Sequence, residues 1–79
     1  FEPRLARAYN NRGSAYYQLG RIERAIEDYN RAIQLSPQLA EFYANRAYAY
    51  ELLSKDSEAR RDFERATSLG FKALSLDQN

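Results

Sequence analysis

The sequence predicts an all-α fold of antiparallel helix–turn–helix repeats, and three observations support this prediction. Glycine and proline together occur only five times in 79 residues, which leaves few positions at which a helix must stop. Apolar and aromatic residues recur at spacings of three and four, as on one face of a helix. The chain also resembles itself when it is shifted by 34 residues. Together these features favour long helices joined by short turns.

The internal repeat is the strongest of these signals. Residues 6–39 align with residues 40–73, and 12 of those 34 positions are identical. The identical positions are Ala6, Tyr9, Asn11, Arg12, Ala15, Tyr16, Leu19, Ala25, Asp28, Arg31, Ala32 and Leu35, each with its counterpart 34 residues later. Tyr29 aligns with Phe63, a second aromatic residue. One helix pair therefore occurs twice in a single domain, as units at about 3–36 and 37–70.

The two units predict four helices. Their expected positions are near 3–18, 21–35, 37–53 and 56–69, with a short closing helix near 71–77. Pro3 and Pro37 suit a first helical position, and Ser36 precedes the second of them as a cap. The expected turns lie at Gly20, at Ser54-Lys55 and at Gly70.

In the first unit, helical spacing places the apolar and aromatic residues of each helix on one face. The first helix carries a stripe of Leu5, Ala8, Tyr9, Arg12, Ala15, Tyr16 and Leu19. The second helix carries Ile22, Ala25, Ile26, Tyr29, Ala32 and Ile33. Small residues mark where the helices of each pair cross closely: Gly13, Ala25 and Ala32, then Ala47, Ala59 and Ala66.

Charged residues suggest specific partners within this frame. Arg12 and Arg46 lie beside the apolar stripe, and we expect them to pair with Asp28 and Asp62, which repeat in parallel. Along the exposed face of the second helix, Arg24 can pair with Asp28, and Glu27 with Arg31, at a spacing of four.

The run from Tyr9 to Tyr17, followed by Leu19-Gly20, Ala25, Tyr29, Ala32, Leu35 and Pro37, resembles a tetratricopeptide repeat. The resemblance covers residues from about 3 to 70. It departs from the family pattern at Arg12 and Arg46, where Leu is more common, at Ala47 in place of Gly, and at Gly70-Phe71. The resemblance implies a right-handed α-solenoid that binds other proteins. No constellation of catalytic residues in the sequence indicates an enzyme.

In this family the first helices line a concave groove that holds a peptide or a partner helix. The binding residues that this implies are Arg7, Asn10, Asn11, Ser14, Gln18, Glu41, Asn45, Tyr48 and Leu52, with Tyr17 and Ala44 on the same face. Amides, aromatic rings and charges together suit recognition of a peptide. The alternative interpretation is that these side chains only face solvent.

A chaperone C-terminal tail is not the expected partner. The stretch 43–47 resembles the middle unit of relatives that grip such acidic tails, but that grip needs basic residues from neighbouring units. The first unit instead has Asn10 and Ser14, and the positions of a third unit hold Ser75 and Asn79. Only Asn45 matches the pattern.

The two ends of the array differ. Asp56, Arg60 and Thr67 replace three isoleucines of the first unit, and a polar outer face is typical of a terminal repeat. Residues 71–79 are therefore expected to form a partial cap, with a disordered tail as the alternative. At the start, Leu5 exposes an apolar edge. Because about three repeats are usual for stability, we expect a segment of a longer array or self-association into a homo-oligomer.

Composition argues against other functions. Cys, His and Met are absent, so no disulfide, common metal site or cofactor is expected, and no serine has a neighbouring base. A net charge of +1 without a basic run argues against nucleic acid and membrane, although Tyr17 and Tyr48 could stack on bases. The lack of cysteine suits the cytoplasm and equally a secreted helical protein. A regulatory array attached to an enzyme elsewhere in a longer chain remains an alternative.

Overall fold

The computed structural model describes residues 3–71, and within that range it contains four α-helices and no strand. The helices are α1 (Pro3–Gln18), α2 (Ile22–Leu35), α3 (Ala40–Leu52) and α4 (Asp56–Ser68). α1 packs along α2, α3 packs along α4, and α2 and α3 join the two hairpins. The all-α helix–turn–helix prediction is therefore confirmed. The predicted closing helix lies outside the described residues except for Phe71.

Small residues let the helices of each hairpin approach closely, as predicted. The alanines at the crossings are almost fully buried: Ala25, Ala32, Ala47, Ala59 and Ala66. A Cβ added to Gly13 would lie 2.9 Å from Cε1 of Tyr29 and 3.1 Å from the carbonyl oxygen of Ala25. Glycine at this position therefore makes room for the Tyr29 ring.

Three of the helices end with the same motif. The residue after the last turn has a left-handed backbone at Gly20 (φ 80°), Ser54 (φ 60°) and Gly70 (φ 107°). After α1, the N–H of Arg21 donates to the carbonyl of Tyr16, and that of Gly20 to the carbonyl of Tyr17. The same pair of bonds closes α3 and α4, so each end is a Schellman motif. These ends confirm the predicted turns.

The start of α3 differs from the predicted residue 37. The N–H of Ser36 donates to the carbonyl of Ala32 at 2.9 Å, and the N–H of Leu39 donates to the carbonyl of Ser36 at 3.4 Å. Pro37 is thus the second residue of a turn, a position that also favours its fixed φ. The hydroxyl of Tyr43 donates to the carbonyl of Pro37 at 2.8 Å and holds this turn in place. The prediction that Ser36 caps the start of α3 was therefore wrong: Ser36 ends α2, and Leu39 is the residue before α3.

The stripe on the first helix of each unit is the surface on which repeats stack. In the second unit all seven positions are buried or half-buried: Leu39, Phe42, Tyr43, Arg46, Ala49, Tyr50 and Leu53. Phe42 packs with Ala32 and Ile33, and Ala49 packs with Ile22. On α1, five of the seven positions are exposed: Leu5, Ala8, Arg12, Ala15 and Leu19. No other helix within residues 3–71 covers this side of α1.

Candidate functional site

Arg46 holds α3 against both neighbouring helices. Its Nε and Nη2 donate to the two carboxylate oxygens of Asp62 in α4, at 2.7 Å and 2.8 Å. Its Nη1 donates to Oδ1 of Asn30 in α2 at 2.8 Å. This bidentate geometry is the strongest arrangement for an arginine and a carboxylate. The hydrogen bond to Asp62 raises the pKa of Arg46, so the guanidinium stays charged.

Arg12 repeats this arrangement in the first unit. Its Nε and Nη2 each donate to a carboxylate oxygen of Asp28 at 2.8 Å, and these bonds raise the pKa of Arg12. Both predicted arginine–aspartate pairs are therefore confirmed. Within residues 3–71, however, Nη1 of Arg12 has no hydrogen-bond acceptor. Its side chain is 56% exposed, compared with 20% for Arg46.

The guanidinium groups also lie over aromatic rings. The Cζ of Arg12 is 5.6 Å from the centre of the Tyr9 ring and 6.0 Å from that of Tyr16. The Cζ of Arg46 is 5.8 Å and 5.7 Å from the corresponding rings, those of Tyr43 and Tyr50. Such cation–π contacts add to the fixed position of each guanidinium. Each guanidinium is therefore held in place by a carboxylate and two aromatic rings, and that of Arg12 stays partly exposed.

The predicted pairs Arg24–Asp28 and Glu27–Arg31 do not form. Instead, Nε of Arg24 lies 3.6 Å from Oε1 of Glu27. Asp28 is buried and held by Arg12, and two short, well-directed hydrogen bonds stabilise it more than an exposed partner on its own helix would. The prediction treated this face of α2 as a uniform solvated surface, and Asp28 does not belong to it.

α1 and α3 lie side by side and form the floor of a groove. Nδ2 of Asn45 donates to Oδ1 of Asn10 at 2.9 Å. Nη1 of Arg7 donates to Oε2 of Glu41 at 3.3 Å, so these two charges offset each other. Asn10 is only 6% exposed, and its side chain therefore positions Asn45 more than it offers surface to a partner.

A pocket of 200 Å³ opens in this groove between the two units. Its six lining residues are Ser14, Tyr17, Gln18, Tyr29, Asn45 and Tyr48, and all are uncharged. Because a water molecule takes about 30 Å³ in the liquid, the pocket has room for several waters or one side chain. The hydroxyls of Ser14 and Tyr29 share a hydrogen bond of 3.0 Å. Burial raises the pKa of the Tyr29 phenol, which keeps the pocket neutral.

The predicted binding residues fall into three groups. Four line the pocket: Ser14, Gln18, Asn45 and Tyr48. Arg7, Glu41 and the mostly buried Asn10 form the hydrogen bonds between α1 and α3. Asn11 and Leu52 are exposed but lie outside the pocket lining. Ala44, expected on the same face, is buried beside Tyr43 and Ala66, so its assignment was wrong.

Tyr29 is a lining residue that the repeat pattern assigned to packing alone. The first unit places Ser14 against Tyr29, whereas the second unit places Tyr48 against Phe63. The rings of Tyr48 and Phe63 meet edge to face, with centroids 5.0 Å apart and an interplanar angle of 81°. The ring therefore carries a hydroxyl in the first unit, where its neighbour Ser14 forms a hydrogen bond with it, and lacks one in the second unit. The sequence shows this difference, because Ser14 and Tyr29 of the first unit align with Tyr48 and Phe63 of the second. The change of both residues together is the sequence feature that points to Tyr29.

The described part of the chain has neither a metal-binding cluster nor a membrane-spanning helix. Within residues 3–71, no group of three or more acidic side chains is arranged to hold a metal ion. None of the four helices is long and apolar enough to cross a membrane. Of the pockets described, the one in the groove is lined only by uncharged polar and aromatic residues.

Comparison with protein families gives two overlapping matches. A family model described as TPR repeat matches residues 13–54, and one described as tetratricopeptide repeat matches residues 40–69. A search of the curated proteins finds no match to the chain. The first family match covers more than half of the 79 residues, and the two together extend from within α1 to the end of α4. The chain therefore belongs to the tetratricopeptide repeat family.

Proposed function

We propose that the groove between α1 and α3 binds a peptide or a helix of another protein. Tetratricopeptide repeats are in general modules of protein–protein interaction. The pocket between the two units carries this proposal, because its polar atoms and aromatic rings surround a space that fits one side chain. Leu52 is the repeat equivalent of the lining residue Gln18 and is 59% exposed, so it can extend this binding surface.

Asn45 supplies the directional contact in this proposal. One of its two amide hydrogens is used by Asn10. Its carbonyl oxygen and its second amide hydrogen have no partner among residues 3–71, and an amide can both donate and accept. An extended ligand along α3 can therefore form hydrogen bonds to Asn45 through its own backbone. Tyr17 and Tyr48 flank this amide and offer aromatic surface to an apolar ligand side chain.

Charge indicates which ligands the groove favours. All six lining residues of the pocket are uncharged, and Arg7 is not among them. A ligand carboxylate would lose water without gaining a charged partner in the pocket. We therefore expect the preferred ligand to be a neutral segment with one apolar or aromatic side chain.

An NMR titration tests this proposal. Peptides selected from a random library by the intact 79-residue chain serve as probes, and ¹⁵N chemical shifts locate the contact. We expect the largest shifts at Ser14, Asn45 and Tyr48. The Asn45→Ala variant should bind the selected peptide about fivefold more weakly, since one hydrogen-bonded amide contributes on the order of 1 kcal/mol.

Gln34→Ala is the matched control, because Gln34 is an exposed amide residue of α2 that lines none of the described pockets. It should leave the affinity within about twofold of the unaltered chain. Thermal melting by circular dichroism checks that both variants are folded. Equal affinities for the two variants, or shifts concentrated on α2 and α4, would contradict the groove.

Self-association through the outer side of α1 is a second candidate function. Leu5, Ala8, Tyr9 and Arg12 line a shallow pocket of 250 Å³ there, and Leu5 is 46% exposed. We call these four residues the α1 edge. Shifts at Leu5 and Tyr9 that grow with protein concentration, without any peptide, are the expected result. Constant spectra up to millimolar concentration would contradict this candidate.

A further inference from the structure

We infer that a second copy of this chain docks head to tail, with its α1 edge on the outer face of α4 of the first copy. The inference rests on the proposed self-association and names the surface that the α1 edge meets. It follows from the 34-residue repeat. α1 carries the same repeat positions as α3, and α4 carries the same repeat positions as α2. The contact between α2 and α3 inside one chain is therefore a template for a contact between α4 of one copy and α1 of the next.

The outer face of α4 carries the repeat positions that α3 covers on α2. A groove of 650 Å³ lies there, lined by Glu51, Asp56, Ala59, Arg60, Phe63, Glu64, Thr67 and Ser68. A shift of 34 residues maps the six of these from Asp56 to Thr67 onto Ile22, Ala25, Ile26, Tyr29, Asn30 and Ile33. We call this surface the α4 face. In the first unit, α3 packs on the equivalent surface through Phe42 and Ala49.

Arg12 and Glu64 provide the first charge match. Inside the chain, Nη1 of Arg46 donates to Asn30. Arg12 occupies the equivalent position one repeat earlier. Its Nη1 has no acceptor among residues 3–71, and its side chain is 56% exposed. One repeat later, the position of Asn30 is occupied by Glu64. Stacking two copies with the internal geometry therefore brings the guanidinium of Arg12 to the carboxylate of Glu64, a charge-assisted pair in place of a neutral amide.

Arg7 and Glu41 provide the second charge match. These residues are 34 positions apart and pair at 3.3 Å inside the chain. The same stacking brings Arg7 of the second copy to Glu41 of the first. Both side chains are 52% exposed, so each can contact a partner on either side. The pair inside one chain would thus extend into a row of alternating charges across copies.

The composition of the α4 face sets the strength of this contact. Arg60 and Thr67 occupy the positions of Ile26 and Ile33, so less apolar surface is buried than between α2 and α3. The contact is therefore weak and reversible, and salt weakens it because exposed charges are screened. A head-to-tail contact joins two different surfaces and leaves one of each open, so short open chains form rather than a closed dimer.

Sedimentation velocity over 20 µM to 2 mM tests the contact. The average mass of the full chain should rise with concentration, and the rise should diminish between low salt and 0.5 M NaCl. Glu64→Lys places a cation opposite Arg12 and should weaken association by about tenfold or more. Glu23→Lys makes the same charge change on an exposed residue of α2 that lines neither surface, and it should leave the mass unchanged.

A second variant is expected to associate more strongly, so the test does not depend only on a variant that could lose association by losing folding stability. Arg60→Ile with Thr67→Ile restores the two isoleucines of α2 on the α4 face, and it should strengthen association about tenfold or more. NMR shifts in this variant should map to Ala8, Tyr9 and Arg12. Adding Glu64→Lys to this variant should reverse the gain, which distinguishes the specific contact from general stickiness.

The outcomes separate this inference from the proposal on which it rests. One outcome is that the full chain associates equally well with and without Glu64→Lys and the two isoleucine substitutions. That result overturns the α4 face as the docking surface, while self-association itself stands. A monomer at every concentration overturns both. A chain that ends at Phe71 tests whether residues 72–79 occupy the groove instead. Association that appears only in this shortened chain overturns the inference for the full chain.

Discussion

At the scale of single residues, Arg46 connects three helices whereas Arg12 connects two. Arg46 bonds to Asp62 within its own unit and to Asn30 in the preceding unit, and it is mostly buried. Arg12 makes only the bonds within its unit and is mostly exposed. Removal of Arg46 therefore leaves two polar partners unsatisfied, and one of these is an almost fully buried carboxylate.

We predict that Arg46→Leu lowers the free energy of unfolding by about 3 kcal/mol, because Asp62 would be left as a buried, unpaired charge. Arg12→Leu is the matched control: it leaves the equally buried Asp28 unpaired but breaks no bond to a second unit, so its effect should be smaller. Urea unfolding followed by circular dichroism measures both. Peptide affinity, corrected for the fraction folded, should change little in either variant. A large loss of affinity with unchanged unfolding would instead make Arg46 a ligand-binding residue.

The sequence predicts some of these contacts and not others. The pairs with Asp28 and Asp62 are predictable because arginine and aspartate recur together one repeat apart. The bond from Arg46 to Asn30 and the bond from Asn45 to Asn10 are not. Each joins one unit to the next, and neither Asn30 nor Asn10 is repeated as asparagine in the second unit. A repeat comparison detects what is shared by the units and misses what occurs once between them.

At the scale of elements, the helix ends are better predicted than the start of α3. A left-handed residue after a helix strongly favours glycine, so Gly20 and Gly70 identify their turns directly. Pro37 has two suitable positions, the first residue of a helix or the second residue of a turn. Local propensity does not choose between them. The hydrogen bond from Ser36 back to Ala32 and the contact of Tyr43 with Pro37 favour the turn.

Ser54 adopts a left-handed backbone with φ 60°, where a side chain is unfavourable. We predict that Ser54→Gly stabilises the chain by about 1 kcal/mol and raises the melting temperature by about 4–8 °C. Ser57→Gly, in the first turn of α4, is the control and should destabilise by up to about 0.5 kcal/mol. Differential scanning calorimetry measures both. An unchanged or lower melting temperature for Ser54→Gly would show that its side chain stabilises the turn.

At the scale of the whole described region, residues 3–71, the two hairpins stack with one covered surface between them, and no described helix covers the outer sides of α1 and α4. α2 packs on both α1 and α3, and α3 packs on both α2 and α4. The outer helices each pack along a single main neighbour. Repeat proteins derive stability from each unit and from the contact between neighbours, so the inner helices gain the most.

We therefore predict that backbone amides exchange hydrogen most slowly in α2 and α3, and faster in α1 and α4. Opening an outer helix exposes less packed surface than separating the inner pair, and its free energy is correspondingly lower. Hydrogen exchange followed by NMR at dilute concentration measures this difference residue by residue. Equal protection in all four helices would instead show that the described region opens only as one unit.

The edge-to-face contact of Tyr48 with Phe63 joins the two surfaces that are proposed to bind partners. Tyr48 lines the groove pocket, and Phe63 lines the α4 face. A peptide that orders the ring of Tyr48 would change the conformational freedom of the Phe63 ring. A second copy that covers Phe63 would likewise change that of Tyr48. By thermodynamic reciprocity, any factor by which docking alters peptide affinity is also the factor by which the peptide alters docking. Peptide affinity would then depend on the concentration of the chain itself.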